Sequence, residues 1–482
     1  MTTTAKHKAL WLSAALVGGV MAARAVYYFY GNFSNTYATL LSAAVMGPFL
    51  LLIVGNTKFA LWGLLTLCLP ITIDVTLGSP EAHISGASGY IVSLFDIVLF
   101  FLYLLWISEM AFSKRIDVHF FPEISIPAIA LIAIGALSMV GATRPELTRF
   151  ELTEVCKMYL AFLYLANNIR DVKKMRVFVA FIIVGLFLEA LVGFAQHRYG
   201  EPFWPTAMGG PPRIESRISG TWVSYNDFAW CLDFSLPLAL SLLFSGIRSH
   251  WKLLCGAGLT LGGGALLWSN SRGGWISFAI AAVFVTVFVF GKIRGKWGLV
   301  KTVISIMMVC VLISPIYPRL SLKLYDRLEG DDRGSAESRL PQFEVAFNII
   351  RDNPITGVGL NNYTEVMMRY DTTKEGLKEI THYAVHNIFL QMTAEMGIFG
   401  ISAFLWLIAA IFVYGIRRSA VLDKYVSYAV VGLLGGIIAF LFHGIVDTAT
   451  LGNKLFMFLW VFAGIIFSTK YMTKQSHQAT AE

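Results

Sequence analysis

Long apolar runs separated by short polar stretches make up most of this 482-residue chain. A helix that crosses a bilayer needs about 20 mostly apolar residues, and fourteen runs approach that length. The second and third runs are separated only by residues 55–57, and the sixth has three charged residues at its start, so we predict about twelve to fourteen spans. The candidate spans are residues 9–29, 37–55, 58–77, 91–112, 124–142, 152–169, 177–196, 223–245, 252–269, 274–291, 299–316, 387–414, 425–446 and 454–470.

One long polar stretch, residues 317–386, interrupts this pattern. Four apolar residues within it recur at spacings of three, four and three, which predicts a helix with one apolar face. These residues are Leu340, Phe343, Phe347 and Ile350. Pro341 suits the first turn of that helix, Asn353-Pro354 ends it, and Gly357 and Gly359 favour a sharp turn after it. We therefore expect an ordered loop that contains short helices.

The composition agrees with a membrane protein, since 56% of the residues are hydrophobic, 14% are charged and the mean hydropathy is +0.65. These values exclude a soluble domain and predict an all-α polytopic membrane protein. The net charge of +8 does not indicate nucleic-acid binding, because the basic residues are spread over short loops beside apolar runs.

The basic residues also predict the orientation of the chain. Taken alternately, one set of loops carries most of the lysines and arginines, whereas the short loops of the other set are nearly bare, with Arg144 and Arg149 as the main exceptions. The first set is cytoplasmic by the positive-inside rule. Both termini then lie inside, and the outer side holds segment 197–222, the hairpin 269–274 and the loop 317–386.

Disulfide and metal sites are not predicted. The five cysteines lie in or beside apolar runs, without a CxxC or Cys/His spacing. The first apolar run resembles a cleavable signal peptide, but we interpret it as a retained span, since a multispan protein needs no separate signal.

Three arginines and one histidine are the candidate chemical groups on the outer side. Arg217, Arg272 and Arg339 lie near the ends of spans or in the polar loop, and a guanidinium suits phosphate or carboxylate oxygens. Contact with lipid headgroups is the alternative reading of each. His386 lies where the loop meets a span, and an imidazole there can accept a proton. His382, one helical turn earlier, competes for the same role.

Seven further ionisable residues fall within or at the ends of the predicted spans, and such residues are candidates for function by default. They are Asp96, Glu109, Glu189, Asp233, Glu395, His443 and Asp447. They form no evident path across the bilayer, which argues against a transporter.

Several motifs in residues 213–400 together resemble the O-antigen ligase and Wzy-type polymerase superfamily. The motifs are Arg217-Ile218-Ser219-Gly220-Thr221, Ser271-Arg272-Gly273-Gly274-Trp275, Ser338-Arg339, Asn353-Pro354-Ile355-Thr356-Gly357-Val358-Gly359, His386-Asn387-Ile388-Phe389-Leu390-Gln391 and Glu395-Met396-Gly397-Ile398-Phe399-Gly400. The first two hundred residues resemble the superfamily only in their hydropathy profile. The span count also departs from it, since it reaches fourteen where twelve is usual.

The resemblance implies a glycosyltransferase of the bacterial inner membrane that takes a glycan from undecaprenyl pyrophosphate at the periplasmic face. Arg217 and Arg339 match the arginines placed around the pyrophosphate, and His386 matches the base that activates the acceptor hydroxyl. Arg272 matches a motif residue that is either structural or a further phosphate contact. Neither a metal nor a cofactor is implied, because arginines can stabilise the leaving pyrophosphate. The implied reaction is a single displacement with inversion.

The sequence is compatible with more than one acceptor. A ligase would use lipid A-core or a protein, whereas a polymerase would use a second lipid-linked repeat unit; a lipid-glycan flippase and a scaffolding protein are the readings from other classes. We divide the chain into an N-terminal transmembrane region (1–222), central spans with the SRGG hairpin (223–316), a periplasmic catalytic loop (317–386), and C-terminal spans with a cytoplasmic tail (387–482).

Overall fold

The structure, a computed structural model, describes residues 57–71, 74–78, 86–113, 117–200, 217–222, 224–291, 339–372 and 384–472, together with five residues between 21 and 28. The predicted spans 9–29, 37–55 and 299–316 fall largely or wholly outside this part of the chain, as do residues 317–338 and 373–383 of the polar loop, the latter with His382.

The described residues form thirteen α-helices and one pair of short strands. The helices are α1 (Thr57–Leu67), α2 (Leu94–Ser113), α3 (Pro122–Ser138), α4 (Pro145–Asn168), α5 (Val172–Tyr199), α6 (Tyr225–Leu243), α7 (Ser249–Trp268), α8 (Arg272–Gly291), α9 (Arg339–Asp352), α10 (Tyr363–Val366), α11 (Ile388–Val421), α12 (Lys424–His443) and α13 (Lys454–Ser468). The strands are β1 (Asp74–Leu77) and β2 (Tyr90–Ser93). The predicted all-α polytopic fold is confirmed.

Seven helical segments in the described part of the chain are long and apolar enough to cross a membrane. They are Leu94–Ser113, Pro122–Gly141, Val172–Tyr199, Arg272–Phe290, Ile388–Val421, Lys424–His443 and Lys454–Tyr471. Helices α4, α6 and α7 coincide with three other predicted spans and are of similar length. The helices pack around one large apolar core, in which α12 lies against α6 and α13 lies against α4.

The predicted span 58–77 is wrong in its second half. Helix α1 ends at Leu67, and residues 74–77 form β1, which pairs with β2 in an antiparallel hairpin. Pro70 cannot continue the helix, and the β-branched residues that follow it favour extended backbone. Apolar content alone did not distinguish these two conformations.

The polar loop does contain a helix, α9, with Pro341 in its first turn and Asn353 just after its end. The apolar face predicted for it is half right: Phe343 and Ile350 pack against the core of the loop, whereas Leu340 and Phe347 are 66% and 57% exposed. The most buried residues lie on the adjacent face of the helix. Its members are Gln342, Val345, Ala346 and Ile349.

The loop is docked onto the first half of the protein by its turn at residues 359–363. Leu360 donates its N–H to Ser138 Oγ (2.9 Å), and its carbonyl accepts from Thr148 Oγ1 (2.6 Å). Asn361 donates to Ala87 O (2.9 Å) beside β2. These contacts bring segments more than 200 residues apart in sequence to the same end of the helical bundle.

Candidate active site

His386 lies at the start of α11 in a backbone that is fixed on both sides. Ala384 and Val385 before it are buried, and the Asn387 side chain after it caps the helix by accepting from two backbone N–H groups at 2.9 Å. Ile388 donates its N–H to Gly444 O (2.8 Å), which joins this helix start to the turn after α12. The sequence therefore places His386 at a rigid junction.

The His386 imidazole pairs with Asp447 in that turn. Nδ1 of His386 lies 2.9 Å from Oδ1 of Asp447, and the two side chains are 27% and 9% exposed. Since a carboxylate can only accept, Nδ1 carries the proton of this hydrogen bond, and a neutral imidazole then has its lone pair on Nε2. The pair has the geometry of an oriented general base.

Asp447 is held as a carboxylate. Burial raises its pKa, but the hydrogen bond from His386, the nearby charges of His443 and His386, and the N–H of Thr448 at 2.9 Å together outweigh burial. The pKa of Asp447 therefore lies below its ordinary value. A charged Asp447 can stabilise the imidazolium that forms when His386 accepts a proton.

Arg339 reaches the same region through α9. Gln342, one helical turn after Arg339, accepts the backbone N–H of His386 at Oε1 (3.2 Å). Arg339 itself is partly buried at the first position of α9 and makes no hydrogen bond or ion pair with another described residue.

Arg217 is positioned by the hairpin that precedes α8. It donates from Nε to Ser269 O (3.0 Å) and from an Nη to Asn270 O (2.8 Å), and its guanidinium carbon lies 3.3 Å from the centre of the Tyr225 ring. A guanidinium has five N–H donors in one plane, so these contacts fix the orientation of that plane. Arg272 begins α8 two residues after Asn270.

The hairpin is in turn anchored to α12 by a buried row of polar side chains. Ser271 Oγ lies 3.4 Å from His443 Nε2, and His443 Nδ1 lies 2.9 Å from Asp233 Oδ2 in α6. The three residues are almost fully buried, and the Trp230 ring stacks on the imidazole with centroids 4.6 Å apart. His443 thus connects the hairpin that holds Arg217 to the turn that contains Asp447.

The contacts described above connect His386, Arg339 and Arg217 to the turn after α12 directly or through one neighbouring residue or segment, although the sequence separates them by up to 169 positions. His386 contacts this turn directly, Arg339 approaches through Gln342, and Arg217 and Arg272 flank the hairpin that His443 holds. Sequence reasoning missed the pairing of Asp447 with His386. It noted Asp447 as an ionisable residue near the end of a span, and that position was the one signal available.

No group of three or more His, Cys, Asp or Glu side chains among the described residues is arranged to hold a metal ion. The candidate site instead comprises a positioned imidazole, His386, and guanidinium groups on the segments that the contacts above connect to it. That combination can remove a proton from a hydroxyl and stabilise a phosphate-type leaving group.

Comparison with known families agrees with this chemistry. Residues 257–405 match the O-antigen ligase family model. The superfamily predicted from the motifs is confirmed by this match. No curated protein matches the chain.

The O-antigen ligase segment includes Arg272, Arg339 and His386, whereas Arg217 and Asp447 lie outside it. The match supports a ligase-type or polymerase-type glycosyltransferase with lipid-linked glycan substrates, in a multi-pass membrane protein. The contacts described above place Arg217 and Asp447 beside the matched segment.

Proposed function

We propose that this O-antigen ligase-like protein moves a glycan from undecaprenyl pyrophosphate to an acceptor hydroxyl at the periplasmic face of a bacterial inner membrane. The observation that carries the proposal is the His386–Asp447 pair, which leaves Nε2 of His386 able to accept a proton. The family match supplies the reaction class. The positive-inside pattern supports cytoplasmic termini and an external site.

The reaction is a single displacement at the anomeric carbon. The acceptor oxygen forms the new C–O bond, the bond to the pyrophosphate oxygen breaks, and the leaving undecaprenyl pyrophosphate keeps the electron pair. His386 takes the acceptor proton at Nε2, and Asp447 balances the imidazolium charge. Attack opposite the leaving group inverts the anomeric configuration.

Arg217 and Arg339 are assigned to the pyrophosphate, with Arg272 as a further phosphate contact or a support of the hairpin. Preorganised cations stabilise the charge that develops on a leaving group, and they need no reorganisation during the reaction. The carbonyl contacts and ring stacking of Arg217 supply this preorganisation. No metal or cofactor is required by this mechanism.

The acceptor defines the physiological role. We favour lipid A-core, which makes the protein an O-antigen ligase; a second lipid-linked repeat unit would make it a polysaccharide polymerase, and a protein hydroxyl would make it a protein O-glycosylation ligase. All three use the donor site described above. A flippase is disfavoured because it needs no general base.

The test uses full-length protein in nanodiscs with the undecaprenyl-pyrophosphate-linked glycan of the source strain. Lipid A-core or a second lipid-linked glycan is offered, and products are followed by mass spectrometry. We expect wild type to transfer the glycan. In His386→Ala, the transfer rate should fall on the order of 10²-fold or more, and added imidazole should restore part of that rate. Equal turnover by a folded His386→Ala variant would show that another base, with His382 the next candidate, serves the reaction.

A further inference from the structure

A second polar feature lies beside the proposed site and has no part in the mechanism above. It is a cavity of about 240 Å³ between the β1–β2 hairpin, α4, the start of α6 and the segment that leads into α13. Its charged lining residues are Asp74, Asp96, Glu154, Asp227 and Lys454. The volume equals that of about eight water molecules at ~30 Å³ each, which is the size class of one sugar ring.

Two buried polar atoms on residues that line this cavity have no hydrogen-bond partner in the described part of the chain. They are Glu154 Oε1 and Thr450 Oγ1, on side chains that are at least nine-tenths buried. A third polar atom, Trp222 Nε1, has the Cys231 sulfur, a weak acceptor, as its partner. An unpaired buried polar group costs about 1–3 kcal/mol. The two unpaired atoms at one cavity therefore indicate a ligand that completes the hydrogen bonds.

The charges of the cavity determine which ligand is suitable. Four carboxyl groups face one lysine, so the lining is acidic overall. Lys157 adds a cation behind the lining, where it bridges Glu154 Oε2 (2.8 Å) and Asp96 Oδ2 (3.0 Å). This charge pattern repels phosphate and favours a neutral or amino-bearing ligand with hydroxyl donors, because carboxylates accept hydrogen bonds from hydroxyls.

The cavity adjoins the residues proposed for catalysis. Asp227 lies within electrostatic range of Asp447 and His443. The segment that starts at Asp447 continues through Thr450 to Lys454, which both line the cavity. It is held by the N–H of Gly452, which donates to Glu151 Oε1 at 2.6 Å. The cavity therefore lies close to the turn that contains Asp447.

We infer that this cavity binds a sugar ring of the acceptor glycan and thereby presents its hydroxyl to His386, an assignment that rests on the proposed transferase function. The donor is a weaker occupant, because its reacting sugar is tied to a pyrophosphate dianion, which an acidic cavity disfavours. The hydroxyls of the acceptor sugar are uncharged. No other residue is assigned to bind this sugar in the mechanism above.

Two nearly isosteric variants test the assignment, Thr450→Val and Glu154→Gln, with Asp423→Asn as a control at an exposed carboxylate at the other end of α12. Binding is measured first, by saturation-transfer NMR on full-length protein in nanodiscs, with the delipidated core oligosaccharide of the source strain as probe. We expect wild type and Asp423→Asn to bind, and each cavity variant to bind about tenfold more weakly for each lost hydrogen bond. Retention of the wild-type melting temperature checks that each variant is folded.

Turnover is then measured with the donor described above. We expect the KM for acceptor to rise about tenfold in the cavity variants while the KM for donor stays within about twofold. Unchanged oligosaccharide binding in both folded variants, no binding by wild type, or a rise confined to the KM for donor would overturn the cavity assignment. If the variants lose binding but wild type transfers no glycan, the cavity assignment stands and the proposed transferase function fails.

Discussion

His443 donates from Nδ1 to Oδ2 of Asp233 across 2.9 Å, where the two side chains are only 1% and 0% exposed. The second oxygen of Asp233 has no hydrogen-bond partner among the described residues, so this aspartate depends on the imidazole. His443 at the same time lies 3.4 Å from Ser271 Oγ. His443 therefore holds the hairpin 269–274, which precedes α8, against α6 and α12.

We predict that His443→Leu lowers stability more than the double variant Asp233→Leu/His443→Leu. The single variant leaves a buried carboxyl group unpaired, which costs about 3–5 kcal/mol, whereas the double variant removes both polar groups. Thermal unfolding in detergent micelles, compared across wild type, both single variants and the double variant, measures the coupling. Additive effects of the two single substitutions would show that the pair contributes no coupling energy.

Asp447→Asn is expected to lower kcat by about 10²-fold or more, with the KM for donor nearly unchanged. The amide can still accept a hydrogen bond, but it supplies no charge to balance the imidazolium of His386. Asp423→Asn changes an exposed carboxylate and should leave both parameters at their wild-type values. If the KM for donor rises as kcat stays constant, Asp447 acts on substrate binding and not on the base.

The lowered pKa of Asp447 predicts how its contribution to stability varies with pH. An aspartate in the unfolded chain has a pKa of about 3.9, and the pKa of Asp447 in the folded protein lies below its ordinary value. Ionised Asp447 therefore stabilises the fold at pH values above the unfolded pKa. This contribution is lost as the pH falls through the folded pKa. The difference in melting temperature between wild type and Asp447→Asn should thus be larger at pH 7 than at pH 3. A difference that grows on acidification would contradict the assignment.

Arg217→Lys should raise the KM for donor by about tenfold or more and change the KM for acceptor little. A lysine cannot donate to Ser269 O and Asn270 O in one plane while stacking on Tyr225, so the positive charge would lose its position. Steady-state kinetics with both substrates varied measures the two constants. Arg417→Lys, a conservative change on the predicted cytoplasmic side, serves as the control. Equal donor KM values for wild type and Arg217→Lys would remove Arg217 from the proposed pyrophosphate clamp.

Gly397→Ala should be strongly destabilising, by about 2–4 kcal/mol from the combined backbone strain and steric overlap. Gly397 has φ +64° within α11, and a Cβ there would lie 2.1 Å from Ile355 O. The close approach lets Val358 donate its N–H to Ala394 O at 3.0 Å. Gly263→Ala in α7, where a Cβ meets no atom within 4 Å, is the matched control. Equal melting temperatures for the two variants would show that the loop and α11 are not in close contact.

The sequence by itself determined the features of this protein that depend only on residues close together in the chain. Apolar runs of membrane-spanning length predicted most of the long helices that the structure describes, because each such helix satisfies its own backbone hydrogen bonds. Pro341, Asn353-Pro354 and the pair Gly357 and Gly359 located the loop helix and the turn after it, since their backbone preferences are intrinsic. The motifs identified the superfamily and singled out His386.

Only the tertiary structure decided which residues meet. Asp447 lies 61 positions from His386, and no periodicity relates them; their pairing follows from the packing of α11 against α12. Likewise, α9 buries the face adjacent to the predicted one and leaves Leu340 and Phe347 exposed, because the available partner surface decides which stripe of a helix is covered. Hydropathy is a property of a segment, whereas a catalytic pair and a cavity are properties of contacts between segments distant in the chain.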